Sequence, residues 1–120
     1  MSIDISQLNK AQKQAVTHDQ GPAILIAGAG TGKTTVITQR IAHLIEQGKA
    51  TPEEILAVTF TEKAAGEMAE RIDQLLPLGY SDLWIHTFHG FCERILKDYA
   101  IDIGLPNDFK LFDNTAAWLL

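Results

Sequence analysis

The residues best suited to chemistry in this sequence form a glycine-rich segment at positions 27–34, which reads Ala-Gly-Ala-Gly-Thr-Gly-Lys-Thr. An apolar run at 23–27 leads into the segment and predicts a short buried strand, and the residues that follow have helical periodicity. A glycine-rich turn that ends in Gly-Lys-Thr between a strand and a helix is typical of a phosphate-binding loop, or P-loop. The pattern therefore predicts that the chain binds a nucleoside triphosphate with Mg²⁺.

Each residue type in this segment suits a dense anion. Small residues let backbone N–H groups approach the phosphates, and the start of the next helix adds unpaired N–H groups and a positive dipole end. Lys33 can reach the β- and γ-phosphates, and the Thr34 hydroxyl can coordinate Mg²⁺, so we predict these two as the catalytic residues. The complete predicted nucleotide site in this region comprises Ala27, Gly28, Ala29, Gly30, Thr31, Gly32, Lys33, Thr34 and Thr35.

Composition limits the classes of protein to be considered. The chain has 120 residues, about one domain or a piece of one, and 46% apolar residues, which suits a globular core. No basic segment leads into an apolar stretch, and no apolar run approaches the ~20 residues that span a bilayer, so neither a signal peptide nor a membrane partner is expected.

The single cysteine, Cys92, excludes an internal disulfide and favours a cytoplasmic location. The net charge of −5 means that any nucleic-acid contact must come from a local surface.

Helices and strands are expected to alternate along the chain. We predict helices at about 8–16, 32–47, 62–76 and from 88 onward, and a last helix capped by Asp113 or Asn114. Strands are predicted at 23–27, 55–60, 83–87 and about 110–112. A capping box is predicted over 51–54 and a loop at 77–81. Repeated βα units form a parallel sheet covered by helices, so the fold class is α/β. Ligands bind at the carboxyl ends of such strands, which places the P-loop, residues 60–61 and residues 87–89 along one edge.

Two later segments share a design in which a strand ends in threonine and an aromatic residue and a helix follows. They are residues 59–65 and residues 86–91. Hydroxyls, a lysine and helix N-termini are typical contacts to a phosphate backbone, and Phe60 and Phe88 can stack on bases. Two structural interpretations compete with this one, since Thr61 can simply cap a helix and Phe88 can belong to a core.

The spacing of His86, His89 and Cys92 suggests metal binding at first sight. We favour a structural interpretation, because His86 lies in a strand and no second pair of ligands completes a tetrahedral site. Cys92 is expected to be a small buried residue of the fourth helix. Trp84 and Trp118 are expected to be core or contact residues.

Four segments, in this order and spacing, resemble the N-terminal part of a UvrD/Rep/PcrA-type superfamily 1 helicase. They are L-N-K-A-Q-K-Q-A-V, A-G-A-G-T-G-K-T, A-V-T-F-T-E-K-A-A-G-E-M-A-E-R-I and T-F-H-G-F. The resemblance implies a RecA-like P-loop NTPase fold and ATP as the nucleotide, with Gln12 reading the adenine edge. It also implies contacts to single-stranded DNA by Thr59, Phe60, Thr61, Lys63, Thr87, Phe88 and His89. Thr35 and Glu62 depart from the family pattern, since relatives often carry Arg and Asn there.

By this resemblance the whole protein is an ATP-dependent 3′→5′ DNA helicase that acts on single-stranded DNA or a 3′-tailed duplex in DNA repair or replication. The family's Asp-Glu motif and second motor domain do not follow here, so we expect a truncated portion that cannot hydrolyse ATP or unwind DNA alone. Residues 1–112 would be part of motor domain 1A, and 113–120 would start a helix towards an inserted subdomain. Its partner would be the remainder of the helicase chain, and the incomplete sheet would leave an edge open to self-association.

Other readings of the same residues stay open at this point. A RecB/AddA-type helicase–nuclease has similar N-terminal motifs, and only a nuclease domain in a longer chain would separate it. A stand-alone ATP-binding regulatory module would bind nucleotide without motor activity. A P-loop kinase is disfavoured, because it has no use for the two threonine–phenylalanine segments.

Overall fold

The computed structural model describes residues 3–28, 30, 32–76, 83–112 and 118. Its helices and strands are α1 (Lys10–Thr17), α2 (Lys33–Glu46), β1 (Leu56–Thr59), α3 (Glu62–Leu75), β2 (Trp84–Thr87) and α4 (Phe88–Asp98), with short 3₁₀ helices at Pro52–Glu54 and Ile101–Ile103. The chain divides into two compact units, 1–88 and 89–120. The predicted loop at 77–81 and the caps Asp113 and Asn114 lie outside the described residues.

The first unit contains a parallel pair of strands. β1 and β2 run side by side with Leu56 opposite Trp84 and Thr59 opposite Thr87. The connection between them contains α3, as a parallel crossover requires. Both strands and α1 to α4 occur within two residues of their predicted positions, and the mixture of helices with a small parallel sheet is compatible with the predicted α/β class.

Two predicted strands are wrong. Residues 23–27 form no strand, and Ile24 and Ile26 are 91% and 93% exposed. A strand exists only when a neighbour pairs with its backbone, and the described part of the chain places none beside this segment. Instead, a cleft of about 430 Å³ lies between α1, residues 23–25 and α2. Residues 110–112 likewise form no strand, and Leu111 and Phe112 are 59% and 60% exposed.

The core of the first unit lies between α2, α3 and β1. Its buried members are Ile41, Ala42, Ala57, Met68, Ile72 and Leu76. Residues 68, 72 and 76 recur every four positions, so one face of α3 and the residue after it pack on the sheet and on α2. Burial of this face places the start of α3 at the end of β1.

An arginine of α2 forms hydrogen bonds to the end of α1. The Arg40 guanidinium on α2 donates Nη1 hydrogen bonds to the carbonyls of Ala15, Val16 and His18 at 3.0, 3.3 and 2.6 Å. These carbonyls lie at the C-terminal end of α1, where intrahelical partners run out and a cation is favourable. Val16 is fully buried below them. Arg40 thus holds α1 in place beside α2.

The turn into β1 follows its predicted capping box. The Thr51 backbone N–H donates to Glu54 Oε2 at 2.9 Å, and Pro52 begins the 3₁₀ helix. This backbone hydrogen bond lowers the pKa of the Glu54 carboxyl below its usual value, with help from the Thr51 hydroxyl. The cap therefore ends the loop after α2 at a defined point.

The second unit is described by itself. Ala100 is fully buried, and the backbone N–H of Leu105 donates to its carbonyl at 2.8 Å, which closes the turn after α4. The expectation of a buried Cys92 is wrong, because its side chain is exposed. Trp118 is 89% exposed and so is no core residue of this structure. Within the described ranges, no helix is long and apolar enough to cross a membrane.

Candidate functional site

The glycine turn before α2 adopts the backbone that its sequence requires. Gly30 and Gly32 have φ angles of 77° and 80°, in the left-handed region where a side chain is strained. Gly32 is the cap residue of α2, and exposed Lys33 and half-buried Thr34 form the first turn of the helix. Ala27 is half-buried and Gly28 is exposed, whereas Ala29 and Thr31 lie outside the described residues.

Gln12 lies against this turn. Its Oε1 accepts the backbone N–H of Asn9 at 2.9 Å, and its own backbone N–H donates to Asn9 Oδ1 at 2.9 Å. This reciprocal capping box orients the side chain at the start of α1. A Cβ added to Gly32 would lie 3.2 Å from Gln12 Nε2. The structure thus brings together two predicted nucleotide-binding residues from separate elements.

Residues that the sequence analysis missed hold the first turn of α2. The Thr38 hydroxyl is buried and donates to the carbonyls of Thr34 and Thr35, each at 3.0 Å. Arg71 on α3 donates from Nη1 to Thr35 Oγ1 at 3.4 Å. A threonine one turn into a helix commonly bonds backward in this way, so Thr38 could have been anticipated. Arg71 could not, because its contact depends on how α2 and α3 pack.

Phe60 and Phe88 form an exposed aromatic pair at the carboxyl end of the sheet. Their ring centroids are 5.3 Å apart with planes tilted by 42°, and the side chains are 90% and 47% exposed. Each residue follows a strand end, and those ends are in register, which brings both residues to the same edge of the sheet. The prediction that the two threonine–phenylalanine segments share an edge is confirmed for these residues. Two exposed aromatic side chains in contact form a candidate binding surface.

The polar residues around the aromatic pair divide into engaged and accessible groups. Thr61 Oγ1 accepts the Ala64 backbone N–H at 3.1 Å, so Thr61 caps α3 as the structural interpretation predicted. Thr59 Oγ1 donates to the Thr61 carbonyl at 3.1 Å. Lys63 is 89% exposed, with only a 4.0 Å approach to Glu67, and is accessible to an anion.

Thr87 is buried at 5% exposure, and its hydroxyl donates to Glu62 Oε1 at 3.0 Å. The predicted DNA contact by Thr87 implies an exposed side chain, and Glu62 stands out in the sequence only as a departure from the family pattern. Neither feature indicates this bond, which depends on how α3 packs at the end of β2. His89 is exposed and belongs to the second unit. Across the described stretches, no group of three His, Cys, Asp or Glu side chains is arranged to hold a metal ion.

A left-handed glycine turn that opens a helix at Lys-Thr, together with an exposed aromatic edge, defines a candidate nucleotide and nucleic-acid site. Comparison with protein families agrees with this class. Residues 8–119 match the family model of the UvrD/REP helicase N-terminal domain, so the chain belongs to that family.

Curated relatives support the same assignment. The chain is 48% identical over 109 residues to "ATP-dependent DNA helicase PcrA" of Bacillus subtilis (strain 168), covering 91% of this chain and 15% of that protein. It is 50% identical over 119 residues to "Probable DNA helicase II homolog" of Mycoplasma pneumoniae, covering 93% of this chain and 17% of that protein. A Rickettsia conorii protein of the same name is 50% identical over 112 residues, with 92% and 17% covered. The chain thus spans about a sixth of the length of these relatives.

The turn geometry predicts that Gly32→Ala lowers the free energy of unfolding by about 1–2 kcal/mol, because alanine is strained at this φ and its Cβ crowds Gln12. Gly66→Ala is the matched control. Gly66 lies within α3 with open space around it, so alanine there should stabilise by roughly 0.5–1 kcal/mol. Urea unfolding of both variants measures the difference. Equal effects of the two substitutions would contradict the role assigned to Gly32.

Proposed function

We propose that this chain is the ATP-binding portion of an ATP-dependent DNA helicase, with a RecA-like P-loop NTPase fold. The observation that carries the proposal is the approach of Gln12 to Gly32 at the start of α2. It joins a residue that can recognise a base to a turn that can recognise phosphates, which is what binding a whole nucleotide requires. The names of the relatives, ATP-dependent DNA helicase and probable DNA helicase II homolog, support the same function.

The turn suits a triphosphate for reasons of charge and shape. α2 has 14 residues, so its N-terminus presents unpaired N–H groups and the positive end of a helix dipole. Gly30 and Gly32 leave room for close approach, and exposed Lys33 adds a mobile positive charge for the β- and γ-phosphates. Thr34 is the residue that would hold Mg²⁺, which when bound neutralises charge on the transferred phosphoryl group.

Gln12 suits adenine in this arrangement. A side-chain amide can donate and accept toward the adenine edge at once. The Asn9 backbone N–H donates to Gln12 Oε1, and the Gln12 backbone N–H donates to Asn9 Oδ1. This capping box holds the amide in one orientation. This pre-orientation lowers the entropic cost of recognising the base.

The aromatic pair suits single-stranded DNA. The net charge of −5 makes binding by bulk electrostatics unfavourable, so affinity must come from local contacts. Stacking of bases on Phe60 and Phe88 is such a contact and tolerates any sequence, while Lys63 can meet a phosphate. Thr59, Thr61 and Thr87 shape this surface through their hydrogen bonds. We include His89 in the proposed DNA contact because it follows Phe88 directly in the chain.

At the level of the whole protein, we propose 3′→5′ movement on single-stranded DNA, with residues 1–112 in motor domain 1A and 113–120 leading to an inserted subdomain. Inactivity of the chain by itself in ATP hydrolysis and unwinding stays a prediction. Its physical basis is that phosphoryl transfer needs a positioned water and further charge stabilisation beyond Lys33 and Thr34.

Replacement of Lys33 by alanine tests the nucleotide site. Lys33→Ala should abolish ATP binding, because the phosphates lose their cation, while the exposed position leaves the fold intact. Calorimetric titration with ATP and Mg²⁺ measures the affinity, and circular dichroism checks the fold. Lys110→Ala removes an equal charge from an exposed site in the second unit and should bind ATP normally. Unchanged affinity in Lys33→Ala would refute the P-loop assignment.

Replacement of Phe60 by alanine tests the DNA surface. Phe60→Ala should weaken binding of oligothymidylate by ~1–3 kcal/mol, because a base loses its stacking partner. The matched control is Phe112→Ala, which removes a phenylalanine that is 60% exposed in the second unit. Fluorescence anisotropy at fixed salt measures both variants. If the two bind as tightly as the parent chain, Phe60 does not contact the bases.

We also propose that the 120-residue chain self-associates through residues 23–26, because Ile24 and Ile26 are almost fully exposed beside an open cleft. Ile24→Lys/Ile26→Lys should reduce the association, since charge on an exposed apolar segment opposes its burial against a second copy. Ile101→Lys, at another exposed isoleucine, should not. Light scattering over a concentration series measures the mass. A parent chain that remains monomeric throughout the series would rule the proposal out.

A further inference from the structure

Glu62 connects the two chain segments that carry the aromatic pair. It is the first residue of α3, two positions after Phe60, and its Oε1 accepts the hydroxyl of Thr87, the residue directly before Phe88. The 3.0 Å bond therefore ties the segment after β1 to the end of β2. We propose that Glu62 is a positioning residue that holds Phe60 and Phe88 together as one stacking surface for single-stranded DNA.

The energetics favour this role over a bare surface charge. An acidic side chain beside a nucleic-acid path repels phosphates, so its presence there needs compensation. The positive end of the α3 dipole stabilises the Glu62 charge. The buried Thr87 hydroxyl stabilises it further by donating a hydrogen bond to the carboxylate. Hydrogen bonds to charged groups are stronger than those between neutral groups. Because the bond lies between the two backbone segments, it limits how far the rings can separate.

Register of the strands is not sufficient for this pairing. Thr59 and Thr87 are opposite each other in the sheet, but Phe60 and Phe88 both lie beyond the last paired residues. The backbone after a strand end is free to diverge unless a further contact restrains it. In our proposal Glu62 supplies that restraint from α3, on which the ring contact at 5.3 Å depends.

The two roles open to Glu62 predict opposite effects on DNA affinity. If Glu62 were only a negative charge near the path, Glu62→Ala would remove repulsion and tighten binding. If Glu62 restrains the aromatic pair, the same substitution weakens binding, because DNA binding must then also order the two rings. Glu62→Gln separates charge from hydrogen bonding, since the amide oxygen can still accept from Thr87.

The test uses the protein expressed from its complete reading frame and anisotropy titrations of fluorescein-labelled oligothymidylate at fixed salt. Glu62→Ala and Thr87→Val should each weaken binding about three- to tenfold, the size of one lost hydrogen bond. The double variant should be no weaker than either single variant, because both break the same contact. Glu62→Gln should stay within about twofold of the parent protein. Glu70→Ala, an exposed acid on the same helix, is the control for charge and should not weaken binding.

A spectroscopic measurement reports the surface directly. An oligonucleotide that contains 2-aminopurine loses emission when the base stacks, and this quenching should decrease in Glu62→Ala and return in Glu62→Gln. Urea unfolding of each variant checks the fold. If Glu62→Ala does not fold, the comparison of Thr87→Val with Glu62→Gln makes the same distinction.

The results separate this inference from the proposed function on which it rests. Tighter or unchanged binding by Glu62→Ala, additive losses in the double variant, or equal losses in Glu62→Gln and Glu62→Ala would each overturn the positioning role. If Phe60→Ala weakens binding but Glu62→Ala does not, the DNA surface stands and the role of Glu62 fails. If neither substitution alters binding or quenching, both fail together.

Discussion

The packing of α2 against α3 joins the glycine turn to the sheet, and the candidate sites of the first unit depend on it. Ile41 and Ala42 of α2 are buried with Met68 and Ile72 of α3. Because a helix is rigid along its length, burial at the middle of α2 also positions its N-terminus at Lys33. The same burial places the start of α3 after β1, beside the aromatic pair. One apolar contact therefore positions both the glycine turn and the aromatic pair.

Polar contacts then set the details that apolar burial leaves open. Arg40 holds the end of α1 on α2, and the Asn9 capping box holds its start, so Gln12 reaches Gly32 in a defined orientation. At the other edge, Glu62 bonds to Thr87 between the two aromatic segments. Hydrogen bonds are directional, whereas the hydrophobic effect is not. The orientations of Gln12 and Thr87 therefore come from hydrogen bonds, and the places of their elements in the fold come from burial.

The exposed apolar residues show where the sequence and the structure disagree. Residues 23–27 have the composition of a buried strand, yet Ile24 and Ile26 are open to solvent. A strand is defined by its neighbour, so composition can propose it but cannot supply the partner. Cys92 is a similar case, because its residue type favours burial and its position on α4 leaves it exposed. In both cases local preference gave the wrong environment because the decisive contacts are not local.

The sequence by itself determined the positions of the four helices and of β1 and β2, the capping box over 51–54 and the glycine turn. These depend on periodicity, on caps a few residues away and on backbone angles that favour glycine, so short windows contain the information. The resemblance of four motifs also indicated the helicase family that comparison then established. Only the tertiary structure decided that Gln12 lies on Gly32, that Phe60 pairs with Phe88, and that Glu62 bonds to Thr87. Those contacts join residues from different elements, and no single segment of the sequence predicts the packing that brings them together.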